Sequence, residues 1–125
     1  METPKALGRA LAVDDEPADL EAIGQALASA GYEVVTASDA PTAMQIFRSQ
    51  GGVDLLVTDV AMSPINGCDL AAELVRLKPN LRVVFVSAYS GAQSFRYEGA
   101  AIADFALVSK PIDREDLIAK VQPGR

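Results

Sequence analysis

The amino-acid sequence predicts an α/β domain in which a five-stranded parallel sheet lies between two layers of helices. Five short apolar segments rich in β-branched residues alternate with segments whose apolar residues recur at helical spacing, and turn-forming residues separate them. Strict alternation of this kind is typical of doubly wound parallel sheets with right-handed crossovers. A chain of 125 residues fits one domain, which we expect to span residues 1–125 with a core of about 8–121.

Two strand and helix units are predicted in the first half of the chain. Residues 7–13 form the first strand, and Pro17 opens a helix because proline is favoured at the first helical position. A glycine ends this helix, and residues 32–37 form the second strand. The second helix begins at a capping residue, which is either Ser38 or Asp39.

The second half continues the alternation. Residues 53–59 read as a strand buried on both faces, and the next helix begins at Asn66 or Cys68. Residues 81–86 form the most strand-like segment, whereas the glycines within residues 90–101 make that helix the weakest of the pattern. The final elements are a strand over residues 104–108 and a helix that starts at Asp113 and runs through Val121. Four residues follow, so no second domain is expected after it.

Composition and charge exclude several classes of function. The chain carries 17 acidic and 11 basic residues, for a net charge of −6, and no basic cluster, which argues against DNA binding. Because there is no histidine, a histidine triad or a histidine-containing zinc site is excluded, and another protein must supply any phosphohistidine. The single cysteine, Cys68, and the lack of a signal or membrane-spanning segment predict a cytoplasmic protein that does not enter membranes.

Polar residues follow four of the five predicted strands. These residues are Asp14, Asp15, Asp59, Ser87 and Lys110. The carboxyl ends of parallel strands share one edge of the sheet, where ligands collect, so we expect these side chains to form one site. Carboxylates within ~4 Å repel by roughly 4 kcal/mol per pair at an effective dielectric of about 20, which a cation would relieve.

The oxygen-only ligand set indicates Mg²⁺, with Mn²⁺ as the alternative metal. Lys110 and the Ser87 hydroxyl would then face a phosphoryl group carried by Asp59, since carboxylates are known to form aspartyl phosphates.

Four motifs in this order resemble the receiver domain of two-component response regulators over roughly residues 8–121. They are V-D-D-E at 13–16, the strand to Asp59 followed by Met62, Asn66 and Gly67, V-F-V-S-A at 84–88, and Lys110-Pro111. The resemblance implies the CheY-like, flavodoxin-like fold with strand order 2-1-3-4-5.

The resemblance also implies a role for each site residue. Asp59 would be the phosphoacceptor, Asp15 a direct Mg²⁺ ligand, and Asp14 an acid that acts largely through water. The Ala61 backbone carbonyl would complete the metal site. Ser87 would be the switch hydroxyl and Lys110 the phosphate-contacting lysine, with a cis bond to Pro111.

A phosphorylation-dependent signalling switch is the function that this resemblance implies. The phosphoryl donor would be a histidine kinase or a histidine phosphotransfer protein, and the output protein is unidentified. Such a domain catalyses only its own phosphorylation and dephosphorylation and is not otherwise an enzyme. A second copy of the chain is a further expected partner, in a dimer that forms on phosphorylation. The domain would act alone or as part of a longer regulator or hybrid kinase.

Several positions depart from the family pattern. Ser63-Pro64 alters the loop after Asp59, and Leu107 replaces an aromatic residue for which Phe105, on the same face of the strand, is the nearest substitute. Residues 89–103 are unusually rich in glycine and alanine, which leaves the output mechanism open. Ala61 and Tyr89 stand where the family places side chains that orient the hydrolytic water, and neither is suited to that task, so we expect slow self-dephosphorylation.

Two other classes compete with the switch. A phosphorylation-independent pseudo-receiver would keep the fold as an interaction module, but it should lose Asp15, Asp59 or Lys110, and all three are present. A magnesium phosphatase with an aspartyl nucleophile should carry a second acid two residues after the nucleophile, where this chain has Ala61.

Overall fold

In the computed structural model, which describes residues 7–88 and 105–122, helices cover both faces of one parallel sheet. The strands are β1 Arg9–Val13, β2 Glu33–Ala37, β3 Val53–Asp59, β4 Arg82–Ser87 and β5 Phe105–Ser109. The described helices are α1 Pro17–Ala30, α2 Ala40–Gln50, α3 Gly67–Leu77 and α4 Arg114–Val121. The sheet order is β2-β1-β3-β4-β5 with every pair parallel, which confirms the predicted fold class and strand order.

Two hydrophobic cores form on opposite faces of the sheet because strand side chains alternate in direction. Leu56 of β3 joins the core beneath α2 and α3, whereas its neighbours Leu55 and Val57 join the core beneath α1 and α4. The central strand is therefore buried on both faces, as its uninterrupted apolar run predicts. Leu77, at the end of the apolar stripe of α3, is 43% exposed and lies outside both cores. Within residues 7–88 and 105–122, no helix combines the length and the apolar character that crossing a bilayer requires.

Side-chain caps fix the starts of three helices. Asp39 accepts a hydrogen bond from the Thr42 N–H at 2.8 Å, so the cap of α2 is Asp39 rather than Ser38. Asn66 accepts from the Asp69 N–H at 2.8 Å, which makes it the cap of α3. The carboxylate of Asp113 caps α4 in the same way. These caps satisfy N–H groups that have no partner within the helix.

Some predicted boundaries shift by one or two residues. The first strand begins at Arg9 rather than at residue 7, because the Leu7 N–H donates to the Gly31 carbonyl at the end of α1. Tyr32 lies between α1 and β2 rather than in β2, since its N–H donates to the Leu27 carbonyl near the end of α1. The fifth strand extends to residue 109. Asp104, Tyr89 and the helix predicted over 90–101 lie outside the described residues.

The C-terminal end of α4 is tied to the sheet by Arg82, the first residue of β4. Its guanidinium donates to the carbonyls of Val121 at 3.2 Å, Gln122 at 3.1 Å and Lys120 at 3.4 Å, and to the Tyr32 hydroxyl at 3.0 Å. The Tyr32 hydroxyl itself donates to the Val121 carbonyl. These contacts satisfy the last carbonyls of a helix of eight residues, which is too short to be stable alone.

Candidate functional site

The sheet register brings the predicted site residues to one edge. The residues that precede Asp14 and Asp59 pair with each other across β1 and β3, so these two acids emerge side by side. At the other end of the group, the Lys110 N–H donates to the Ser87 carbonyl at 2.8 Å. The structure therefore assembles the residues whose convergence the strand ends predict.

Three carboxylates form the centre of the site. One oxygen from each of Asp14, Asp15 and Asp59 can be chosen so that all three atoms lie within 4.8 Å of one another. Asp14 is fully buried and Asp59 is 5% exposed, whereas Asp15 faces solvent. The Glu16 N–H donates to Asp14 Oδ1 at 2.9 Å and fixes the direction of that carboxylate.

The ammonium of Lys110 lies among three acidic side chains, one of which the sequence did not indicate. Its Nζ is 3.1 Å from Asp14 Oδ2, 3.5 Å from Asp59 Oδ1 and 3.0 Å from Asp19 Oδ2. Asp19 comes from the first turn of α1. Together with Asp15, these groups give the site four carboxylates and one ammonium, a net charge of −3 when all are ionised.

The electrostatics of the site act in opposite directions on Asp59 and Lys110. Burial and the neighbouring charge of Asp14 raise the pKa of Asp59 above its ordinary value, although Lys110 and a hydrogen bond from the Ala61 N–H oppose the shift. Burial would lower the pKa of Lys110, but its contacts with Asp19, Asp14 and Asp59 outweigh burial and raise it. Lys110 therefore keeps its positive charge, and it lies beside a carboxylate whose ionised form is disfavoured.

Ser87 lies at the end of β4, as predicted, and the peptide bond after Lys110 has the predicted cis geometry. Ser87 is buried at the end of β4, one residue beyond the partner of Asp59 in the sheet. The Lys110–Pro111 peptide bond is cis, as predicted, and the Ser63–Pro64 bond in the loop after Asp59 is also cis. The role of the Ala61 carbonyl as a metal ligand stays a prediction.

Gly67 holds the loop after β3 against the backbone of Asp59. A Cβ at this position would lie 1.9 Å from the Asp59 carbonyl oxygen and 3.1 Å from Thr58 Oγ1. The Gly67 N–H donates to the Val60 carbonyl at 2.8 Å, and the Thr58 hydroxyl donates to the Asp59 carbonyl at 3.0 Å. The missing side chain thus lets the start of α3 approach the backbone of Asp59 directly.

The residues present fit a hard divalent cation. Their ligand atoms are all oxygens, the class that Mg²⁺ prefers, and they carry excess negative charge at close range. Asp14 Oδ2 is buried and, within the described residues, makes only the ion pair with Lys110 and no aligned hydrogen bond. A buried oxygen in this state costs free energy that a cation or its bound water would recover.

Sequence reasoning missed Asp19, and it named Gly67 without foreseeing its contact with Asp59. Asp19 lies two residues after Pro17, in the first turn of α1, so the predicted helix start already placed it near the same edge of the sheet. The sequence indicates Gly67 as a break before the helix, whereas its position against Asp59 depends on how the intervening loop folds back.

Comparisons with known proteins agree with this geometry. The sequence profile of the response regulator receiver domain matches residues 10–122. The chain is 31% identical over 110 residues to the transcriptional regulatory protein GlrR of Escherichia coli (strain K12), covering 86% of this chain and 24% of GlrR. It is 30% identical over 115 residues to the chemotaxis protein CheY of Treponema pallidum (strain Nichols), covering 90% of this chain and 79% of CheY.

A solved structure shows the same fold. The response regulator receiver domain protein (CheY-like) from Methanospirillum hungatei JF-1 superposes with a TM-score of 0.80 at 28% sequence identity, covering 93% of this chain and 91% of that chain. The residues that the profile matches include the strand ends that carry the acids and Lys110. The chain belongs to the family of response regulator receiver domains.

Proposed function

We propose that this receiver domain is a phosphorylation-dependent signalling switch in which Asp59 accepts a phosphoryl group from a phosphohistidine of a partner protein. The observation that carries the proposal is the position of Asp59, a buried carboxylate with two further acids within 4.8 Å and an ammonium at 3.5 Å. A carboxylate oxygen of Asp59 forms the bond to phosphorus while the bond from phosphorus to the partner's imidazole nitrogen breaks.

Each neighbouring group has a task in this transfer. Lys110 contributes a fixed positive charge where negative charge accumulates, and the Ala61 N–H holds the acceptor carboxylate in place. Asp15, Asp59 and the Ala61 carbonyl would hold Mg²⁺ directly, and Asp14 would hold it through water. The ion supplies electrostatic neutralisation of the phosphoryl oxygens when it is bound.

The switch itself would use Ser87 and the surface beside β5. Ser87 is buried at the end of β4, next to the strand that leads to Lys110, so a phosphoryl group on Asp59 would attract its hydroxyl. On the same side of the sheet, Phe105 is 41% exposed and packs edge-on against Phe85 with ring centroids 5.3 Å apart. We propose that the output partner reads this part of the surface, together with the helix that the sequence predicts over residues 90–101.

The partners follow from the proposed chemistry. The donor is a histidine kinase or a histidine phosphotransfer protein, and the chain turns over no separate substrate. The output route is either that of a free single-domain regulator or that of one domain in a longer protein. The chain spans most of CheY but only 24% of GlrR, so relatives of both kinds support this pair of alternatives.

Mass spectrometry of the intact protein after incubation with acetyl phosphate and Mg²⁺ tests the proposal. We expect one phosphoryl adduct in the wild type and none in Asp59→Asn. Asp54→Asn is a matched control, because Asp54 lies on the same strand near its opposite end and is half exposed. An adduct that persists in Asp59→Asn, or a wild type that takes none, contradicts the proposal, and the second result would favour a pseudo-receiver.

A further inference from the structure

Asp19 holds the lysine on which the proposed switch depends. Lys110 Nζ is closer to Asp19 Oδ2, at 3.0 Å, and to Asp14 Oδ2, at 3.1 Å, than to Asp59 Oδ1, at 3.5 Å. The Lys110 side chain is 16% exposed. Its ammonium is therefore drawn mainly towards β1 and α1 in this structure, and the acceptor carboxylate is its most distant partner of the three.

A phosphoryl group on Asp59 would change this competition. An ammonium has three N–H donors, and close carboxylates occupy them at about 2.7–2.9 Å when the geometry is favourable. A phosphoryl group brings a charge of about −2 and three strong acceptor oxygens, so it would compete for the donors that now face Asp14 and Asp19.

Asp19 is the contact that can yield. Asp14 is fully buried, and the Glu16 N–H fixes its carboxylate. The Asp19 side chain is 32% exposed and comes from the first turn of a surface helix, so it can rotate into water at low cost.

We infer that Asp19 is a positioning residue that retains Lys110 in the unphosphorylated domain and releases it when Asp59 is phosphorylated. The inference rests on the proposed function and adds a residue to it. Because the retained state must be broken before Lys110 reaches the phosphoryl group, Asp19 opposes phosphorylation. Its removal accelerates the transfer by about two- to fivefold, the range expected for a part-exposed ion pair.

A double-mutant cycle separates this role from a general effect of negative charge. We compare the initial rate of phosphorylation by acetyl phosphate and Mg²⁺ in wild type, Asp19→Ala, Lys110→Ala and the double variant. Glu21→Ala is the matched control, since Glu21 is exposed on the same helix and its replacement by alanine removes the same charge. We expect Asp19→Ala to be faster, Glu21→Ala to be unchanged, and the gain to disappear in the Lys110→Ala background.

Nitrogen-15 NMR of the lysine ammonium groups provides a second readout. Before phosphorylation, the Lys110 ammonium hydrogens should exchange faster in Asp19→Ala than in wild type, whereas the two phosphorylated proteins should give the same exchange rate. Equal exchange before phosphorylation, or a gain in rate that persists without Lys110, overturns the inference alone. If the wild type takes no phosphoryl group, the proposed function fails and the release step fails with it.

Discussion

The contact between Gly67 and the backbone of Asp59 predicts that Gly67→Ala damages the proposed phosphorylation site without replacing any polar side chain. The added Cβ would lie 1.9 Å from the Asp59 carbonyl oxygen, whereas such contacts stay above 3.0 Å. The two atoms must therefore separate by at least about 1.1 Å. The oxygen belongs to the backbone of β3 and the Cβ would be attached directly to the first residue of α3, so no flexible side chain can absorb the displacement.

The expected cost follows from this geometry. Overpacking a well-packed site costs about 1–3 kcal/mol, and a clash between backbone atoms belongs to the upper part of that range. The gain from alanine in a helix offsets less than about 1 kcal/mol, since Gly67 is the first residue of α3. We therefore expect a net loss of about 1–2 kcal/mol in the free energy of unfolding and a Tm lower by about 4–8 °C.

The effect on phosphorylation should be larger than the effect on stability. A displacement of about 1 Å at a reacting group can reduce a rate about 100-fold. Thermal unfolding and the initial rate of phosphorylation by acetyl phosphate measure the two effects separately. Gly24→Ala is the control, because a Cβ there would meet its nearest atoms at 3.8 and 4.0 Å in the middle of α1, so this variant should keep its rate and gain stability.

Two results would refute this reasoning. A Gly67→Ala protein with the Tm and the phosphorylation rate of wild type would show that the close approach imposes no constraint. A protein that loses stability but phosphorylates normally would show that the start of α3 moves away while Asp59 keeps its place.

Three further predictions concern the metal, the pH dependence and the lifetime. For a millimolar site, about 10 mM Mg²⁺ should add about 1.4 kcal/mol to the free energy of unfolding, seen as a higher Tm in wild type and as no change in Asp15→Asn. In metal-free buffer, the raised pKa of Asp59 means that its ionised form destabilises the fold. The free energy of unfolding of wild type, relative to that of Asp59→Asn, should therefore fall as pH rises from about 3.8 through that pKa. Chemical denaturation of both proteins at pH 3 and pH 7 measures this difference, and an equal difference at the two pH values would contradict the prediction. Ala61→Asn combined with Tyr89→Glu should shorten the lifetime of the phosphorylated form by about tenfold or more, measured as decay after donor removal, and an unchanged decay would show that these positions do not control the hydrolytic water.

The parts of the site that strand ends determine could be predicted from the sequence. Asp59 and Ser87 end their strands, and Asp14 and Lys110 directly follow theirs, so parallel pairing alone brings these positions together. The fold class was predictable for the same reason, because the alternation of periodicities is a local property of the chain.

The remaining features depend on three-dimensional details that no local pattern contains. The distance between Asp19 and Lys110 depends on how far the first turn of α1 lies from the end of β5, and these two residues are 91 positions apart in the sequence. The role of Gly67 depends on a loop that returns to the strand it left. In both cases the residue type was visible in the sequence, but its partner was not.

The hydrogen bonds of the Arg82 guanidinium have a mechanical consequence for the end of α4. A short terminal helix pulled from its end would normally unravel one turn at a time, since its last carbonyls have no partners. Here three of those carbonyls are bonded to the first residue of β4, a strand inside the sheet. A force applied at Gln122 is therefore transmitted through Arg82 to β4, the strand that ends at Ser87. The end of α4 is thus a rigid point of attachment and does not extend one turn at a time.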